Sequence, residues 1–332
     1  MATVLLRHTD AGAPILNGTD GSLYNVLKWA APQLGWSIAF DDEADFKLAL
    51  RNDPLTGTGA YLQVTDKASL HDTDARSARV QGYLTMDGLD DGGGAWMDGA
   101  QRFWLKSLTA DSAARDWVII GDQRTIYFLP RAQQNISGAN GERLFVQIAG
   151  DFDSFKQADG GAFLITPSFV HISYTGSRRV AGLPAMAQRQ FNATAGSGTD
   201  ESNTSMVDCA ATNASGTASG QLLHCMSTPA IVTGAADTYR VGALGPGSPD
   251  IISSGINTAP IRLVEGNNLR GQLRGIFNPL HDVANAWSAT QPLNGVGLPG
   301  GPASAFGVLV TNINGNTNTG RGAVVFDLGD WS

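Results

Sequence analysis

Short apolar runs bounded by Gly, Asp, Asn and Pro constrain this chain more than any other feature. The clearest is Trp117-Val118-Ile119-Ile120, then the polar turn Gly121-Asp122-Gln123-Arg124, then Thr125-Ile126-Tyr127-Phe128-Leu129, closed by Pro130. β-branched and aromatic residues bounded by turn formers are the signature of paired strands. Similar runs occur at 36–40, 46–51, 60–65, 78–86, 144–148, 238–241, 261–264, 306–310 and 323–328. The segment Leu269-Arg270-Gly271-Gln272-Leu273-Arg274-Gly275-Ile276-Phe277 is apolar at irregular spacing, and its glycines suggest bulges or close backbone contact. One segment departs from this pattern. Ser22 reads as an N-cap, and Leu23, Val26, Leu27 and Ala30 fall on one helical face, predicting a helix over 22–31. Pro32 discourages its continuation, and Gly35 supplies a stop if it runs on.

Composition agrees with that reading. Glycine occupies 41 of 332 positions and only 16% of residues are charged, against typical values of about 7% and about 25%. A helical bundle tolerates little glycine, and a disordered chain is poorer in aromatics and richer in charge. The expected class is therefore mainly β with a short N-terminal helix, in antiparallel, sandwich-like sheets carrying a long insertion loop. The chain divides into a helix-plus-antiparallel-sheet domain at 1–165, a Ser/Thr/Asn/Gly-rich insertion at 166–228, and a C-terminal β region at 229–332 that either shares the first core or forms its own. Within the insertion, Asn192–Gly220 is dominated by small and polar residues and cannot offset its own ordering entropy by apolar burial. No repeat of fixed period argues for a propeller or solenoid.

Charge narrows the function classes. With 22 basic and 30 acidic residues the formal net charge is −8, which opposes a counterion-releasing grip on nucleic acid and a Lys/Arg-driven membrane role. No apolar run approaches the roughly 18–20 residues that span a bilayer. The opening Met-Ala-Thr-Val-Leu-Leu-Arg-His has no basic n-region, so the chain is expected to be soluble and made in the cytoplasm.

Gly295-Val296-Gly297-Leu298-Pro299-Gly300 matches a dinucleotide fingerprint literally, but it lacks the strand and helix that give the motif meaning and reads as a loop. Met86–Gly94 gathers Asp87, Asp90 and Asp91 with flexible backbone, yet not at the alternate spacing of a calcium loop. His8 with Asp10, or His71 with Asp72 and Asp74, offers base and orienter without a placed nucleophile. Asp151 and Asp153 share a strand face, as any alternate residues do. No catalytic residue, cofactor or metal is expected. Cys209 and Cys225 leave two readings open: a disulfide pinning the insertion, worth about 3 kcal/mol for a loop of that length, or two unrelated thiols. Trp96, Phe103 and Trp104 are candidate interface or stacking aromatics, the alternative being core.

Several phrases occur together: Asp10-Ala11-Gly12-Ala13-Pro14, Gly18-Thr19-Asp20-Gly21-Ser22-Leu23, Gly35-Trp36, Gly57-Thr58-Gly59-Ala60-Tyr61-Leu62-Gln63-Val64, Asp116–Asp122, Gly150-Asp151-Phe152-Asp153-Ser154-Phe155, and the ending from Leu269-Arg270-Gly271 to Trp331. In these the chain resembles virion structural proteins encoded by tailed bacteriophages and prophages of Gram-negative hosts. The resemblance covers most of 1–165 and the C-terminal third, and it carries no active-site motif. It implies a tail or baseplate subunit acting through protein–protein interfaces, a homo-oligomer in a symmetric assembly with other virion subunits as partners. The alternatives are a tail-tip receptor- or carbohydrate-binding module meeting a host surface receptor, or a capsid decoration protein.

Overall fold

The computed structural model describes residues 2–71, 75–93, 101–133, 143–144, 146–165, 169–171, 178–180, 206–209, 221–226, 258–265, 268–279, 305–310, 322–329 and 331. The first half holds β1 (Val4–Arg7), α1 (Ser22–Leu34), β2 (Ser37–Asp42), β3 (Lys47–Arg51), β4 (Tyr61–Thr65), β5 (Ser77–Tyr83), β6 (Thr85–Gly88), β7 (Asp91–Gly93) and β8 (Gln101–Leu105). Next come β9 (Trp117–Gly121), β10 (Thr125–Gln133), β11 (Arg143–Leu144), β12 (Gln147–Asp151), β13 (Asp153–Ser154), β14 (Phe163–Ile165), β15 (Phe169–His171) and β16 (Arg178–Val180). The chain continues with β17 (Met206–Cys209), β18 (Gln221–Met226), β19 (Thr258–Glu265), β20 (Asn268–Pro279), β21 (Ala305–Val310) and β22 (Gly322–Asp327).

Two antiparallel sheets carry the fold. The larger runs β1-β9-β10-β12-β14-β17-β18-β19-β20-β22-β21, and the smaller runs β16-β15-β8-β5-β4-β3-β2. β13 continues β12 past the bend at Phe152 and pairs with β20, Asp153 opposite Gln272. The hydrogen-bonded path from β12 through β14, β17, β18, β19 and β20 therefore returns to the strand it left, closing part of the large sheet on itself.

Both faces of β9 and β10 are covered, so these strands are apolar throughout instead of alternating. Trp117, Ile119, Ile126 and Phe128 meet α1 together with Leu48, Leu50, Leu62, Val64 and Val80 of the smaller sheet. Val118, Ile120, Tyr127 and Leu129 turn the other way, onto Ile261, Leu263, Leu273, Ile276, Phe326 and Trp331. The C-terminal region thus packs on the opposite face of β9 and β10 from the N-terminal sheet, in a second hydrophobic cluster. Parts of the expected insertion loop are strands instead: β15 pairs with β8, and β17 and β18 lie inside the large sheet. The candidate strand at 238–241 lies outside the described residues.

The helix begins differently from the sequence expectation. Gly21 at φ 78 is the N-cap and provides no side-chain bond, while Ser22 Oγ donates to Asn17 O at 2.8 Å. The cap comes from Asp66, whose Oδ2 accepts Leu23 N–H at 2.7 Å and Tyr24 N–H at 3.1 Å. Asp66 also accepts from Lys106 Nζ, and both side chains are fully buried. Burial pushes the Asp66 carboxyl up to about 6 against the pull of Lys106 and the two helix N–H groups. The helix runs through Pro32 and stops at Gly35 in the left-handed region.

Candidate functional site

The antiparallel ladders bring three connections to one end of the sandwich: 52–60 between β3 and β4, 122–124 between β9 and β10, and the segment 152–162 that includes β13. Asp53 N–H donates to Gln123 O at 2.9 Å and Asp151 N–H to Arg124 O at 3.0 Å, so all three are joined.

Asp151 is the hub. Its Oδ1 accepts Asn52 Nδ2 at 2.8 Å and Thr58 Oγ1 at 2.6 Å, and its Oδ2 accepts Thr58 N–H at 2.9 Å and Arg124 Nε at 3.3 Å. Burial raises its carboxyl above the ordinary range, opposed by the Thr58 and Arg124 contacts. Gly57 is required beside it, because a Cβ there would lie 2.4 Å from Asp151 Oδ2. The turn above is also closed locally. Asp53 accepts Leu55 N–H at 3.0 Å and Thr56 Oγ1 at 2.7 Å, contacts that hold its carboxyl below the usual value. At the tip of this tightly held turn Leu55 is 92% exposed.

Two arginines of β20 secure the third connection. Arg270 grips Asp159 with two bonds of 2.8 Å, and Ser154 Oγ donates to the same carboxylate at 2.7 Å. Burial alone would raise Asp159, but Arg270 and Ser154 outweigh it and hold the carboxyl below the ordinary range. Arg274 NH1 meets both oxygens of Asp122 at 3.1 and 3.0 Å, and its Nε lies 3.2 Å from Asp153. Phe155, the next exposed apolar residue, is 55% exposed, with its N–H donating to Arg270 O at 2.9 Å. Asp151 thus holds the turns, while Asp153, its side chain 42% exposed, lies at ion-pair distance from Arg274.

The other candidate residues fall elsewhere. Phe103 and Trp104 are fully buried, which overturns their reading as interface or stacking aromatics. Trp104 stacks on Phe128 with centroids 5.9 Å apart, and Phe103 meets His71 edge-on at 5.6 Å. Strand periodicity places them on a face without saying whether that face is covered. Trp96, Asp72, Asp74 and the Gly295–Gly300 phrase lie outside the described residues. Cys209 stands opposite Gln221, and Cys225 lies four positions further along β18, opposite Leu263. At about 3.3 Å per residue that offset is about 13 Å, beyond the roughly 7 Å Cα separation a disulfide spans. In this register the two cysteines are not bridged to each other.

His8 does not pair with Asp10, whose carboxylate takes Arg7 N–H. Its Nε2 lies 3.1 Å from Asp116 and its Nδ1 3.3 Å from Trp117 O. In the acidic hairpin, Asp90 is engaged by Lys47, Arg79 and Gln63. Among the described residues no group of three or more His, Cys, Asp or Glu is arranged to hold a metal ion. Nor is any described helix long and apolar enough to cross a membrane.

Sequence reasoning missed Asp151 as a hub, the two β20 arginines, and the exposed pair Leu55 and Phe155. The available signals were the doubled Leu-Arg-Gly of 269–275 and a lone Leu inside an Asp-Pro-x-Thr-Gly turn. No protein-family model matches the chain, and no curated protein is similar to it.

Proposed function

We propose that this protein is a non-enzymatic structural subunit acting through protein–protein interfaces, as a component of a bacteriophage tail or baseplate. The observation that supports this reading is the turn cluster around Asp151. A side chain that stays in place before binding loses little entropy when a partner covers it, which is the property of an interface anchor. Leu55 and Phe155 stand on turns fixed by Asp53, Asp151 and Asp159, not on free loops. Loops gathered at one end of a β-sandwich are a recurrent place for recognition.

The resemblance to virion proteins supplies the biological setting. Parts of four of its phrases, Gly57-Thr58, Asp122, Gly150–Phe155 and Leu269–Gly271, lie at this end of the fold. The test is protein mass spectrometry on particles purified from the producing cell. The expected result is this chain at a fixed multiple of copies per particle. Its absence from intact particles, or a fall in polymer length when the pure protein meets host polysaccharide, overturns the reading.

A further inference from the structure

We propose that Lys106 and Asp66 condense into an intramolecular isopeptide bond, an amide joining Nζ to Cγ with loss of one water. The inference does not depend on the structural role proposed above.

Asp66 directly follows β4 and Lys106 directly follows β8, and both strands pair with β5, so the two residues leave the smaller sheet at the same end. Lys106 Nζ donates to Asp66 Oδ1, and both side chains are fully buried. Nucleophile and electrophile are thus held in contact, where no diffusion step remains. Keeping two charges out of water is costly, and an amide carries neither.

The surrounding groups match a secondary amide. Nζ also donates to Thr19 O at 2.6 Å, while Oδ2 accepts Leu23 N–H at 2.7 Å and Tyr24 N–H at 3.1 Å. In the product the remaining N–H keeps Thr19 O, and the carbonyl oxygen keeps both helix N–H groups. The oxygen that departs is Oδ1, whose one donor among the described residues is Lys106 itself. The two N–H groups at the start of α1 also face the atom on which negative charge builds as Nζ adds to Cγ.

The step balances without a co-reactant and with no change of oxidation state. A proton passes from Nζ to Oδ1, leaving an amine beside a carboxylic acid. The Nζ lone pair adds to Cγ, a second proton passes from Nζ to Oδ1, and the Cγ–Oδ1 bond breaks to release water. Burial favours the acid form that this route needs, pushing the Asp66 carboxyl up to about 6. Before condensation the same two groups form the ion pair. Afterwards the link spans 40 positions of sequence and restrains the unfolded chain as a disulfide would.

Intact-mass spectrometry of the denatured full chain, followed by peptide mapping, tests this. The expected result is a mass about 18 Da below that of the sequence, and a branched peptide joining the Asp66 segment to the Lys106 segment. Lys106→Arg cannot condense and is expected at its full sequence mass. A folded parent at full sequence mass holds an ion pair only and overturns the inference. A water loss that persists in Lys106→Arg overturns it too, because a succinimide at an Asp-Gly step such as Asp20-Gly21 then accounts for the mass. The branched peptide identifies both residues in the parent, so the outcome holds even where the variant folds poorly.

Discussion

Replacing Asp151 by alanine removes the one side chain that bonds to residues of the 52–60 and 122–124 connections while standing at the start of the third. Four contacts disappear: those from Asn52, from the Thr58 hydroxyl, from the Thr58 N–H and from Arg124. They do not cost equally. Arg124 is a quarter exposed and finds water, and the half-buried Thr58 hydroxyl can rotate. Asn52 is fully buried, with Thr58 Oγ1 and Arg124 O left as distant acceptors at 3.3 and 3.4 Å. The Thr58 N–H loses its acceptor outright. An unsatisfied buried donor costs about 1–3 kcal/mol, so the loss is about 3 kcal/mol. At about 2–4 °C per kcal/mol for a domain of this class, the melting temperature falls by about 6–12 °C. Urea unfolding measures the free energy, and hydrogen exchange read at residues 52–58 shows whether the turn opens. Asp151→Asn keeps one acceptor oxygen and should lose about half as much. A variant within about 0.5 kcal/mol of the parent, or a loss with unchanged exchange at 52–58, would refute Asp151 as the organiser of this end.

Three further outcomes follow from other parts of the fold. Lys106→Met leaves Asp66 buried without its cation and costs about 3–5 kcal/mol at neutral pH. Because the Asp66 carboxyl is already raised to about 6, its stabilising share is present below the unfolded value near 3.9 and fades as pH rises. Losing Lys106 raises it further, so urea midpoints should show a smaller deficit at about pH 5 than at about pH 7; an equal deficit counts against the buried pair. Arg270→Gln has the opposite dependence. Asp159 is held below its unfolded value, so its contribution is present above about 3.9 and is lost as pH falls through the lower native value. The cost of the substitution, about 3 kcal/mol at neutral pH, should shrink at about pH 3, and a pH-independent cost contradicts the ion pair. Finally, thiol titration of the unfolded chain under non-reducing conditions should find both Cys209 and Cys225 reactive, as their register demands; a value near zero would overturn that register.

Much of the fold was legible where local chemistry decides it. The hairpin of β9 and β10 turns at 122–124, within the polar stretch that the sequence marks, and pairs Ile126 with Gly121. The helix was legible in its apolar face and its Gly35 stop, but not in its start, because the cap is a carboxylate 43 positions away. Long-range pairing hid the candidate site for the same reason. Nothing local marks Arg270 and Arg274, because their partners Asp159 and Asp122 lie 111 and 152 positions away. For Phe103 and Trp104 the sequence leaves interface and core open, because alternation fixes only which residues share a face, and both are buried. What covers that face is decided by tertiary packing, and here β10 supplies Phe128 against Trp104.

Reconstruction of the purified particle by electron microscopy tests the central claim most directly, because it reports whether the Asp151-centred end is an interface. The account predicts Leu55 and Phe155 covered by a neighbouring subunit. Density that leaves Leu55 and Phe155 open to solvent in the finished particle would contradict it.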